Sequence, residues 1–179
     1  MRVLKFTILV FVLAVGFIDG ARADAVWASH VGGTCVPTSA TIKAGQYETA
    51  GFGVRFSGNI VGAIRLLCPF GLDGYDATIG GMVMSVIDSD GGGEDGHVRA
   101  SLRRAVKGTN AWIEIGTCDS NSSTKITAHQ IPCFFDGHKI KSNEWYWWDV
   151  VIERRSERVN VEFLGISLMY VSGNLPWPW

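Results

Sequence analysis

Helical periodicity is almost missing from this 179-residue chain. Without apolar residues recurring every three or four positions, helical bundles and alternating α/β sheets are excluded. An excess of positive charge is missing as well. The 16 Lys and Arg residues face 17 Asp and Glu, so there is no electrostatic footprint for nucleic acid. Past the first two dozen residues, no apolar run could cross a bilayer as a helix. There is no G-x-S-x-G elbow, no H-E-x-x-H and no Lys-Ser/Thr pair behind a glycine loop, so no familiar nucleophile, zinc or phosphate chemistry is signalled. No cofactor is implied, and the chain reads as a non-enzyme. C-x-x-C is also absent. His129, Cys133 and His138 with Cys118 are spaced too loosely to point to zinc.

What is present starts with "MRVLKFTILVFVLAVGFIDGARA". Arg2 and Lys5 precede an apolar run from Thr7 to Ile18, and Ala21-Arg22-Ala23 forms a small-x-small site. That is the layout of a secretory signal peptide over 1–23, with cleavage expected before Asp24. Its loss would leave 156 residues, enough for one domain with a core. It would also remove three basic residues and one acidic residue, leaving 13 against 16, a net charge of −3. The expected location is secreted or periplasmic. In such an oxidising compartment an even cysteine count favours disulfides. Of the three possible pairings, Cys35–Cys68 and Cys118–Cys133 are the expected ones.

The patterning has period two. In "HVRASLRRAV", Val98, Ala100, Leu102 and Val106 share one face, against His97, Arg99, Ser101 and Arg103. Met82, Met84 and Val86 alternate with Val83, Ser85 and Ile87. Ile64, Leu66 and Cys68 share a face, as do Ile113 and Ile115 against Glu114. "VNVEFLGISLMYV" carries Gly165 in mid-run, the mark of a bulge or close backbone approach. Gly, Asp, Asn and Ser clusters separate these runs. About eight strands result, and short strands with regular turns indicate an antiparallel β-sandwich. It is expected over 24–172, with 24–50 an irregular N-terminal arm. Residues 173–179 form a flexible tail, because Pro176 and Pro178 cannot join a central ladder.

The order "IGGMVMSVIDSD…HVRASLRR", "KSNEWYWWDVVIE" and "VEFLGISLMYV" resembles a recurrent type of uncharacterised bacterial exported domain. Its elements are a strand ending in Asp, a strand ending near Leu-Arg-Arg, an aromatic-rich strand and a closing Gly-hydrophobic-x-hydrophobic-Tyr strand. The resemblance covers roughly 100 residues and implies a jelly-roll-like sandwich. It implies no activity.

Two stretches remain as candidate sites. "DSDGGGEDG" offers Asp88, Asp90, Glu94 and Asp95 as hard oxygen ligands for calcium on a glycine frame, although it fails the EF-hand pattern. Otherwise it is a solvated loop between two strands. "NEWYWWDVVIER" places four aromatics in succession. Strand alternation sends Tyr146, Trp148, Val150 and Ile152 to the core, and Trp145, Trp147, Asp149, Val151 and Glu153 to the other face. Trp145 and Trp147 are therefore the candidate sugar-stacking residues. The expected role is a non-catalytic binding or structural module of the cell envelope, with no partner specified. Carbohydrate binding through Trp145 and Trp147 is the first alternative. A hydrolase with an unrecognised site is the second. A glycan, an envelope protein or a second copy of the chain are the partners these readings imply, the last two docked through the tail.

Overall fold

The computed structural model describes residues 26–43, 45–71 and 76–173. The expected leader 1–23 and the tail after Gly173 lie outside the described residues. Eleven strands occur among them: β1 (Val26–Val31), β2 (Val36–Pro37), β3 (Tyr47–Ala50), β4 (Gly53–Phe56), β5 (Gly62–Phe70), β6 (Ala77–Asp88), β7 (Gly96–Val106), β8 (Trp112–Asp119), β9 (His129–Lys139), β10 (Glu144–Arg154) and β11 (Val161–Gly173). One sheet runs β3-β4-β11-β6-β9, with β1 also paired to β11. The other runs β2-β5-β10-β7-β8. Every pairing is antiparallel. Strands β4 to β11 follow jelly-roll order, crossing to the other sheet at every step except the hairpin from β7 to β8.

The expected antiparallel sandwich is therefore what the chain forms, with more strands than the eight expected. The difference lies in the segment read as an irregular arm. Residues 24–50 supply β1, β2 and β3, short edge additions with little alternation to signal them. Backbone partners already in place on β11, β5 and β4 recruit them.

The inner faces follow the period-two pattern. Ile64, Leu66, Met82, Met84, Val86, Val98, Ala100, Leu102, Trp148, Val150 and Ile152 are all fully buried. Burying each large side chain contributes about 1.5–3 kcal/mol. Gly165 marks a bulge in β11, where the register with β6 shifts between Phe163 and Gly165. At the same point the other edge of β11 passes from β4 to β1.

Two residues of the alternating apolar sets, Val106 and Ile113, are exposed. Val106 lies at a strand end and is exposed, and Arg104 occupies the inward register two positions earlier. On β8 the register slips between Leu102 and Arg103 on the partner strand, which puts Glu114 and Trp112 on the outer face and Ile113 opposite the inward Arg104, where this edge strand leaves it exposed. A bulge is invisible to an alternation count, because one extra residue inverts every face beyond it.

The inward Arg104 belongs to a polar cluster at one end of the sandwich. Buried Glu144 pairs with Arg104 and accepts a 2.7 Å hydrogen bond from the Tyr146 hydroxyl. His138 Nε2 lies 3.1 Å from the same hydroxyl, which also accepts the Lys141 N–H at 3.0 Å. Burial opposes the charge on Glu144, but Tyr146, Arg104, His138 and Lys141 together hold its carboxyl below the usual range. The other inward end of β10 is Arg154, whose guanidinium donates to the carbonyls of Gly58 and Glu157 at 2.7 and 2.5 Å.

Both expected disulfides form: Cys35–Cys68 and Cys118–Cys133. This consumes two of the four ligands in the loose zinc spacing. The first bond ties the N-terminal segment to β5. The second joins β8 to β9, the edge strands of opposite sheets on the same side of the sandwich. Loop entropy makes the bridges worth about 4 and about 3 kcal/mol for separations of 33 and 15 residues. Replacing Cys118 and Cys133 together by serine should lower the urea unfolding free energy by about 3 kcal/mol and raise the m-value, because the opened unfolded chain exposes more surface.

Candidate functional site

Strand β10 sits at the centre of its sheet, between β5 and β7. Its outward residues therefore have neighbours on both sides. Trp147 lies opposite Pro69 and Arg103, Asp149 opposite Leu67 and Ser101, and Val151 opposite Arg65 and Arg99. The outer face around them holds an open depression of about 290 Å³. It is lined by Arg65 of β5, Asp149 and Val151 of β10, Arg99, Ser101 and Arg103 of β7, and Glu114 of β8.

Asp149 organises the floor. It points outward, yet only 3% of it is exposed, because two arginines cover it. Arg65 donates Nε to Oδ1 at 2.7 Å and Nη2 to Oδ2, a bidentate fork. Arg103 Nη1 meets Oδ2 at 2.5 Å. The hydrogen bond to Asp149 raises the Arg65 pKa above its ordinary value, so this guanidinium stays charged. Glu114 is more exposed and accepts from the Thr117 hydroxyl at 2.7 Å. Desolvation works against its charge, but the Thr117 and Ser101 hydrogen bonds and the charges of Arg99 and Arg103 hold its carboxyl below the usual range.

Aromatic side chains border this floor. Trp145 is 59% exposed and Trp112 is 52% exposed. Both lie opposite Ala105, one on each side of β7, so they share a face roughly 10 Å apart, two strand spacings. Lys107 Nζ lies 4.8 Å from the Trp145 ring centroid, and the Arg103 guanidinium carbon 4.0 Å from that of Trp112. Each cation–π contact fixes a ring at one of its faces. Trp147 is half-buried between them and the arginines. Of the two candidate tryptophans, Trp145 thus presents the larger surface. Trp112, Arg65, Arg99 and Arg103 were missed as site residues. Alternation had placed Arg99 and Arg103 on an outward face, but nothing local links these four residues to β10.

The acidic loop has a different arrangement from the calcium set expected over four residues. It crosses from one sheet to the other, joining β6 to β7. Asp88 is fully buried and accepts from the Ser120 hydroxyl, which itself accepts the Val98 N–H at 2.9 Å. Asp90 Oδ2 accepts the backbone N–H of Asp95 at 2.9 Å and of Gly96 at 3.2 Å. Asp88 Oδ1 and Asp90 Oδ1 are both buried without a hydrogen-bond partner among the described residues. Glu94 and Asp95 stand exposed on the loop. Those two Oδ1 oxygens are the side-chain ligands the loop would offer a cation, and backbone carbonyls or water would supply the rest of the six to eight that calcium takes. No group of three or more metal-ligating side chains converges among the described residues. Burial and the neighbouring Asp90 push the Asp88 carboxyl up to about 7.

Among the described residues no helix is long and apolar enough to cross a membrane. No family model matches the chain. No curated protein matches it either. Among solved structures, it is similar to a family two carbohydrate esterase from Cellvibrio japonicus, at 11% identity and a TM-score of 0.41, covering 87% of this chain and 36% of that one. It is also similar to TmCBM61 in complex with β-1,4-galactotriose, at 11% identity and a TM-score of 0.39, covering 76% of this chain and 87% of that one.

Two outcomes follow from this geometry. Asp149→Ala leaves Arg103 part-buried without its partner and should cost on the order of 2–3 kcal/mol in urea unfolding, less than a fully buried pair because Arg65 is half-exposed. Asp88 binds its proton more tightly folded, at about 7 against an ordinary 3.8, so its destabilising effect is absent below 3.8 and complete above about 7. In metal-free buffer, Asp88→Asn should therefore raise the melting temperature several degrees more at about pH 8 than at about pH 4. An equal shift at both pH values would refute it.

Proposed function

We propose that the protein is an exported, non-catalytic carbohydrate-binding module whose site is the outer face of the β2-β5-β10-β7-β8 sheet. The observation that carries this reading is the placement of two exposed indoles, Trp112 and Trp145, on one face beside an open polar depression. Sugar rings present C–H faces that stack on aromatic rings and hydroxyls that need fixed donors and acceptors. Here the rings are pre-oriented by Arg103 and Lys107, and the polar groups sit on a rigid sheet. A ligand lying across β7 could engage both indoles with little ordering cost. The leader expected at 1–23 and the two disulfides support a secreted or periplasmic location, the second because such bonds persist in oxidising compartments.

The charge states weigh against the hydrolase alternative. Asp149 and Glu114 share the depression, as a glycosidase pair would. Such a pair needs one carboxyl with a raised pKa to donate a proton. Glu114 is instead held low, and the Asp149 oxygens are engaged by two arginines.

Binding to a panel of neutral and acidic polysaccharides, followed by calorimetry on the best oligosaccharide, tests this. Trp145→Ala and Trp112→Ala should each weaken binding about tenfold, near 1.4 kcal/mol, without changing the unfolding midpoint. A panel with no binder, or two variants that bind as the parent does, would reject the assignment.

A further inference from the structure

We infer that this face selects acidic glycans, with Arg99 as the residue that meets the ligand's carboxylate or sulfate and Arg65 and Arg103 beside it. This rests on the carbohydrate-binding reading above and names its ligand class. The depression holds three arginines against two carboxylates. Asp149 is sealed beneath Arg65 and Arg103, and Glu114 accepts from Thr117. What is unfilled lies on the cationic side. Arg99 is exposed and makes no hydrogen bond or ion pair among the described residues, although it lies opposite Asp119 in register. Arg103 Nε is buried and has no hydrogen-bond partner among the described residues. Arg65 spends Nε and Nη2 on Asp149, leaving Nη1 over.

The layout suits an anion. Arg65 and Arg99 both lie opposite Val151, one on each side of β10. Their backbones are thus about 10 Å apart, two strand spacings, with a half-buried valine as the floor between them. A planar carboxylate or a sulfate group on a sugar ring can accept from such forked donors and also neutralise the surplus positive charge. A neutral sugar hydroxyl can do only the first. The indoles along the same sheet would hold the sugar rings in either case, so charge selection and ring stacking reside in different residues.

Calorimetry with tetragalacturonate and its fully methyl-esterified form separates the two, since the ester removes the charge and keeps the sugars. A sulfated galactotetraose and its unsulfated parent distinguish sulfate from carboxylate. At about 50 mM salt at least one acidic chain should bind tenfold or more tighter than its uncharged counterpart, and the advantage should collapse near 500 mM salt as screening takes hold. Arg99→Gln should erase the preference, bringing the charged and uncharged chains to the same affinity, while Arg99→Lys should retain part of it. Trp145→Ala should weaken charged and uncharged chains alike. Equal binding of charged and uncharged chains, binding of neutral chains alone, or a preference that survives Arg99→Gln would overturn acidic selection and leave the carbohydrate-binding reading intact. Failure of every glycan, neutral or acidic, to bind would overturn both.

Discussion

The two-residue period of β10 is the constraint on which the rest of the molecule depends. With neighbours paired along both edges, the strand cannot shift its register without breaking two ladders. A slip of one residue would turn Trp148 to solvent and drive Asp149 into the core. Burial of Trp148, Val150 and Ile152 thus fixes where Trp145, Trp147, Asp149 and Val151 emerge. The core and the candidate site are two faces of one strand, and the energy of the first positions the second.

The ends of that strand show how polar residues terminate an apolar layer. Glu144 and Arg154 both have the inward register, one at each end of β10. Neither is left unpaired. Glu144 is met by Arg104, Tyr146 and His138, and Arg154 reaches loop carbonyls. A buried charge without such partners would cost several kcal/mol. Asp88 is the contrasting case. Its Oδ1 and that of Asp90 have no donor among the described residues, and burial answers by raising its proton affinity.

On the outer face the same logic produces a surface and not a core. Arginines cover Asp149 from both sides, and the cations of Arg103 and Lys107 rest on Trp112 and Trp145. These contacts hold flexible side chains on a rigid sheet. Positive charge remains in surplus at the centre of the face, with aromatic surface at its border. Charge and aromatic surface are thus carried by different residues of one strand layer.

The sequence by itself determined whatever depends on neighbours along the chain. Alternation specified the inward sets of β5, β6, β7 and β10 and divided the aromatic run into core and surface halves. Gly165 announced its bulge, and the cysteine count and spacing pointed to the pairs that form. Tertiary structure decided whatever depends on which strand lies beside which. The arm over 24–50 became strands only because β4, β5 and β11 offered edges to it. The bulge in β8 turned Glu114 and Trp112 outward and set Trp112 across β7 from Trp145. Arg65 is 84 residues from Asp149 in sequence, so no local pattern could couple them. Period and turn chemistry are written in adjacent residues, whereas a site built across four strands exists only once hydrogen-bonded ladders fix their order and register.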